Sequence, residues 1–220
     1  MKVRFLGHSC VEIIGKHHIL IDPDFIHPPQ SGVEYICISH AHRDHIGRVA
    51  EVPEGFILAS PDVCEYALKK YGVERERLCA VKAGDRQANI RILPGFSVTN
   101  NFIHLIFSLL IKHKIPEPAG TPLSFLVEDE ASLLHIGDAN QAPENISPDI
   151  LCLPWRKAPY KPEAYQESLI NLAKHLSAQY ILPIHYDLPG TEANPQELIS
   201  LVDAKILEGN DWHYISKQKG

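Results

Sequence analysis

Ser39–Arg48 reads SHAHRDHIGR, with three histidines and an aspartate in the six positions from His40 to His45, directly after the apolar run YICIS of residues 35–39. In an extended segment, side chains two apart point the same way, so His40 and His42 can offer their imidazoles to one point. Asp44 and His45 follow at a bend into the next element and can face a second point close by. Imidazole suits zinc, iron, nickel or manganese, and a carboxylate can bridge, ligate or accept a proton. The spacing H-x-H-x-D-H is therefore a local nitrogen and oxygen arrangement for two adjacent cations. The competing explanation is a polar loop in a chain that carries 13 histidines.

The rest of the composition narrows the setting. At 220 residues and 45% hydrophobic, the chain can bury a large core, and one domain over residues 1–220 is the simpler reading. Lys plus Arg is 21 and Asp plus Glu is 27, a formal charge of −6, which argues against a nucleic-acid partner recognised by a basic face. Cys10, Cys37, Cys64, Cys79 and Cys152 are odd in number and never at C-x-x-C spacing, so neither a disulfide framework nor a thiolate zinc site is indicated. The N-terminus, MKVRFLGHSC, enters a strand pattern at once, without a signal-peptide core. The longest apolar segment, FIHLIFSLLI at 102–111, is too short to span a bilayer. These features predict a cytoplasmic protein with no membrane partner.

Candidate strands recur as VRFLG, CVEII, HHILI, YICIS, GFILA, NIRIL, LSFLV, SLLHI, DILCL and QYILPI. The first three lie close together around a turn at Gly15 and predict an antiparallel meander. Helices are predicted at 61–71, with Ser60 as N-cap and Pro61 in first position, and at 162–177, with Ala164, Leu169, Leu172 and Leu176 near one face. A shorter helix is predicted at 195–202. Strand groups with helices between them suggest two sheets packed together with helices outside. Residues 94–122, punctuated by Pro94, Gly95, Pro116, Pro118, Gly120 and Pro122, read as a long functional loop.

SHAHRDH resembles the signature of the metallo-β-lactamase superfamily, and ILIDPDF, LLHIGDAN and ILPIHYD match further motifs in the same order, from residue 5 to about 188. FLGHSC and LPIHY resemble the branch of ascorbate-6-phosphate lactonase-like metal-dependent hydrolases. The resemblance implies an α/β fold, a four-layer αββα sandwich of two mixed sheets face to face with helices outside. It implies that His40 and His42 bind a first metal, that Asp44 and His45 bind a second, that Asp138 bridges them and that His185 completes the second. Asp138 also suits bridging on its own terms, since it leaves the apolar strand SLLHI at a glycine turn. An ordinary turn aspartate and, for His185, a satisfied core histidine are the alternatives. The segment IRILPGFSVTNNFIH points to His104 as the remaining first-site ligand, with His113 as competitor. Asp22 resembles the buried carboxylate that orients a ligand histidine. His8, near the metals in this fold, is left as ligand, substrate contact or turn cap. His135 is read as structural, and His17 and His18 as surface residues.

The function implied is a hydrolase with two divalent ions, zinc before manganese, nickel or iron(II). A hydroxide held by the cations attacks a small ester, lactone or phosphodiester, with Asp44 as the catalytic group that orients it and accepts its proton. No G-x-S-x-G elbow offers a serine nucleophile instead. A metal-binding or regulatory module without catalysis is the main alternative. A di-iron redox protein is disfavoured, because that use prefers a carboxylate where His42 stands. In LPWRKAPYKPEAY, Trp155, Arg156 and Tyr160 fall in a loop, where Arg156 is expected to bind a substrate anion or to make a surface salt bridge. The apolar insertion is read as a lid beside the site, or as core or a homo-oligomer contact.

Overall fold

Several of the strand runs are apolar at every position, which suits strands covered on both faces better than strands with one face in water. The computed structural model describes residues 1–96, 119–158 and 161–216. Two seven-stranded sheets pack face to face. The first begins as the expected meander, β1 (Lys2–Gly7), β2 (Cys10–Ile14) and β3 (His18–Ile21), all antiparallel. It continues in parallel through β4 (Tyr35–Cys37), β5 (Phe56–Ala59) and β6 (Leu78–Ala80). The second runs antiparallel through β7 (Arg86–Gln87), β8 (Ile90–Pro94), β9 (Leu123–Glu128) and β10 (Ser132–His135). It then turns parallel through β11 (Ile150–Pro154), β12 (Tyr180–Ile184) and β13 (Lys205–Ile206). A last strand, β14 (His213–Tyr214), returns to pair with β1.

Strand alternation explains the continuous runs. Ile19 and Ile21 of β3 enter the core between the sheets, with Val11, Phe125, Val127 and Leu182, whereas Leu20 points outward to Ile36, Ile46 and Val63. On β11, Ile150 and Cys152 face inward, and Leu151 and Leu153 face α3. The outer layers are α1 (Arg43–Ile46) and α2 (Pro61–Tyr66) on the first sheet and α3 (Pro162–Leu176) on the second. Each fully buried leucine or isoleucine in these layers contributes about 1.5–3 kcal/mol. The four-layer αββα order is the one expected.

The details differ in instructive places. The face of α3 that packs on the sheet is Tyr165, Leu169, Leu172, Ala173 and Leu176, and Ala164 is exposed, because it lies one residue off that 3.6-residue stripe. The helix expected over 61–71 changes at Ala67–Tyr71 to a π-helical turn that ends at Gly72. The third helix is a 3₁₀ segment, Pro195–Ser200, capped by the Asn194 side chain. The short strands β6, β7, β13 and β14 gave no periodicity to read. His18 is buried, not on the surface: its Nε2 lies 2.8 Å from Glu12 Oε1, and Glu12 also accepts from Arg4. All five cysteines are free thiols. Among the described residues, no helix is long and apolar enough to cross a membrane.

Candidate metal centre

The parallel strands β3, β4, β11 and β12 end at one edge of the sandwich, and the loops leaving those ends carry the polar residues. Asp22 follows β3, the 39–45 stretch follows β4, Asp138 follows β10, Arg156 follows β11 and His185 follows β12. Asp22 and His185, together with His8 after β1, hold positive φ of 51°, 63° and 52°. Non-glycine residues rarely adopt that backbone, and it concentrates at functional sites.

Asp22 is fully buried and organises one wall. Its carboxylate accepts the Ser39 N–H and the Ser39 hydroxyl, each at 2.7 Å, and the His45 Nδ1–H at 2.7 Å. Since the Ser39 hydroxyl proton is committed to Asp22, Ser39 Oγ accepts from His40 Nδ1 at 3.0 Å. One carboxylate thus fixes two imidazoles, His45 directly and His40 through Ser39, and turns the Nε2 atoms of both toward Asp138. Burial pushes the Asp22 carboxyl up, but His45, His135 and the Ser39 N–H win and hold it at about 2. Gly137 lets the Asp138 turn approach this wall: it has φ +61°, and a Cβ there would lie 3.0 Å from Ser39 Oγ.

Asp138 stands at the centre. Its Oδ1 lies 3.0 Å from His185 Nε2 and 3.3 Å from His45 Nε2. Its Oδ2 lies 3.1 Å from Arg156 Nη2 and 3.7 Å from His40 Nε2. Asp44 Oδ2 is 3.8 Å from both His45 Nε2 and His185 Nδ1. Donor atoms of Asp44, His45, Asp138 and His185 lie within 4.8 Å of one another, and so do those of His40, His42 and Asp138. His45 Nε2, Asp138 Oδ1 and both ring nitrogens of His185 are buried with no hydrogen-bond partner among the described residues. Buried polar atoms are seldom left so. Atoms 3.0–3.3 Å apart that do not bond to one another but converge on a common point fit a divalent cation.

The protonation states agree with that fit. Burial pushes the His40 imidazole down to about 3, with His45 adding to the effect and Asp138 opposing it. Burial also lowers His42 and His185 against the pull of Asp138, so all three offer a lone pair at neutral pH. His45 goes the other way: burial would lower it, but Asp22, Asp138 and Asp44 outweigh burial and raise it well above the usual range. Asp138 is held well below the carboxylate range, since Arg156, His185 and His45 overcome its burial.

Of the remaining sequence expectations, His8 belongs to neither donor group. Its Nδ1 pairs with Asp24 Oδ2 at 2.9 Å, its N–H donates to the Asp187 carboxylate at 3.0 and 3.1 Å, and its carbonyl accepts the His185 N–H. His8 therefore braces the backbone that carries His185. His135 is a buried strut, as expected: Nδ1 accepts the Gly137 N–H, and Nε2 donates to the Ser9 carbonyl. Arg156 makes an ion pair, but a half-buried one, with its guanidinium packed against Asp138 and Tyr165. His104, His113, Tyr160 and the apolar insertion lie outside the described residues. The sequence reading passed over Ser39, Gly137, Asp24, Tyr165 and Asp187. Ser39 stood inside the quoted motif, but a serine beside histidines carries no signal until Asp22 is seen next to it.

Two mixed sheets covered by helices, with histidines and aspartates gathered at the strand ends, define a protein of the metallo-β-lactamase fold. The sequence model of the beta-lactamase superfamily domain matches residues 2–185, and the chain belongs to that family. It is similar to a UPF0173 metal-dependent hydrolase of Desulfitobacterium hafniense, 28% identical over 94% of this chain and 92% of that one. A UPF0173 metal-dependent hydrolase of Hyperthermus butylicus is also 28% identical, over 94% and 93%. In fold, the chain resembles Igni18, a metallo hydrolase from Ignicoccus hospitalis, with a TM-score of 0.70, 18% identity and coverage of 98% and 99%. It also resembles the metallo-β-lactamase fold protein YhfI from Bacillus subtilis, with a TM-score of 0.68, 14% identity and coverage of 96% and 98%.

Proposed function

We propose that this chain is a metal-dependent hydrolase that cleaves a small ester, lactone or phosphodiester. The observation that carries the reading is the convergence of Asp44, His45, Asp138 and His185, with four of their nitrogen and oxygen atoms buried and without partners among the described residues. The mixed nitrogen and oxygen donors suit zinc first, with manganese, nickel or iron(II) as alternatives. His40, His42 and Asp138 form the second half of the arrangement that the family resemblance implies.

When bound, the cation supplies an activated water and a positive field for the oxyanion that develops at the attacked centre. The chain supplies the rest. Asp44, the carboxylate of the group most open to solvent, takes the proton of the attacking water at Oδ2. Asp22 keeps the proton on His45 Nδ1, so that Nε2 remains the coordinating atom. His8 and Asp187 hold the loop that fixes His185. The net charge of −6 favours a small-molecule substrate over nucleic acid.

The test is turnover by metal-loaded protein across a panel of esters, lactones and phosphodiesters. Wild-type protein is expected to hydrolyse at least one class, and Asp44→Ala to abolish that activity. Full activity in Asp44→Ala, or no hydrolysis of any class by the wild type, would overturn the reading.

A further inference from the structure

Asp138 divides its two oxygens between different neighbours. Oδ1 faces His45 and His185 and carries no hydrogen bond among the described residues. Oδ2, the oxygen that faces His40, is engaged by the Arg156 guanidinium at 3.1 Å. A divalent ion between His40 and His42 would need that same oxygen.

The backbone that carries the guanidinium is tied down on both sides of Arg156. The loop after β11 is pinned by Trp155, whose indole N–H donates to the Asn194 carbonyl at 3.0 Å, and by Lys157 N–H, which donates to the Thr191 carbonyl at 2.9 Å. The Arg156 side chain is 17% exposed, it lies against Tyr165, whose hydroxyl donates to the Asp138 carbonyl at 3.3 Å, and its Nε is buried without a partner among the described residues. A guanidinium also cannot lose its charge by giving up a proton. An ion entering between His40 and His42 must share Oδ2 with a fixed positive charge a few ångströms away. Otherwise it must displace that charge and leave it buried and unpaired.

We propose that Arg156 makes the centre unequal: one divalent cation is held tightly by Asp44, His45, Asp138 and His185, and the guanidinium stands in for the second on the side of His40 and His42, which fills only weakly. This rests on the metal assignment of the proposed function and sharpens it. Arg156 is thereby a positioning residue for charge, occupying with a protein cation the place where the two-metal arrangement puts an exchangeable one.

The experiment is the stoichiometry and affinity of Zn²⁺ and Mn²⁺ for metal-stripped full-length protein, by chelator competition and by elemental analysis after desalting. Wild type is expected to retain one ion per chain, with any second ion bound at least about 100-fold more weakly, the upper end of what altered ligand surroundings cost. Arg156→Met, which keeps an apolar stem and removes the charge, should strengthen the second ion by about 10–100-fold. Arg156→Lys, which keeps the charge, should leave it weak. His185→Ala should lose the tight ion, and His42→Ala should keep it. Two ions of similar affinity in the wild type would overturn the inference and leave the hydrolase reading standing. So would an unchanged second ion in a folded Arg156→Met protein. Failure of wild type to retain any ion would overturn the metal assignment itself. If Arg156→Met does not fold, the wild-type stoichiometry and the Arg156→Lys affinities decide.

Discussion

On one side of Asp138, His45 and His185 bring two buried nitrogens to an oxygen that no other group claims among the described residues, and Asp44 adds a second carboxylate. On the other side, His40 and His42 stand 3.0 Å apart before an oxygen already paired with Arg156, and no carboxylate but Asp138 joins them among the described residues. Both sides pair two histidines with Asp138, and Asp44 is added on one side only. The difference lies in which charge can leave. His45 holds a proton that a cation can replace, while Arg156 holds a charge that stays. Histidines drawn from one motif do not make equal sites when a neighbour from a different strand sets the local charge.

Removing what both sides share should have the largest effect. Asp138→Ala is expected to abolish cation binding on both sides, well beyond the about 10–100-fold that loss of an outer partner costs. Chelator competition that found the tight ion within tenfold of wild type would break the claim that this carboxylate is common to both. Asp22→Asn comes next: it removes the acceptor of His45 Nδ1–H and of the Ser39 hydroxyl, and should weaken the tight ion by about 10–100-fold.

Proton release separates the sides more finely. The carboxylates around His45 raise it, so a cation on that side must drive off its proton, and affinity should fall by about tenfold per unit as pH drops below the raised value. His40, held at about 3 by burial and the charge of His45, has no proton to release near neutrality. Calorimetric titration of the tight ion in buffers of different ionisation enthalpy should show about one proton released. Enthalpies independent of buffer would count against this account. The smallest expected effect is that of Ser39→Ala, which frees the His40 ring while His45 keeps its direct bond to Asp22. The weak ion should lose about tenfold and the tight ion much less. Equal losses on both sides would show that the wall acts as one unit.

Much of this arrangement could be read from the chain because it is local. The H-x-H-x-D-H spacing, the aspartate after SLLHI and the histidine after ILPI each sit where an apolar strand stops, and strand ends are legible from hydrophobicity. The paired sheets followed from runs such as ILI and ILCL, apolar at every position because helices cover the outer faces. The contacts that distinguish the two sides were not legible. Asp22 meets Ser39 across neighbouring strands, and Arg156 meets Asp138 across loops leaving β10 and β11. Both depend on how far each loop reaches, which no residue spacing encodes. The placing of Ala164 near the leucine face failed for the opposite reason: the local pattern allowed it, and the stripe set by Tyr165 shifted the face by one residue.

The left-handed backbone at His8, Asp22 and His185 bears on transplanting this centre to another scaffold. Each such residue costs about 1–2 kcal/mol relative to the right-handed form. A scaffold chosen only by matching side-chain positions would relax at these points and turn the imidazole of His185 and the carboxylate of Asp22 off their targets. A faithful graft would have to copy the strand-exit loops with their torsion angles, together with the partners that hold them: the Asp187 carboxylate beneath His8 and the Ser39 amide against Asp22.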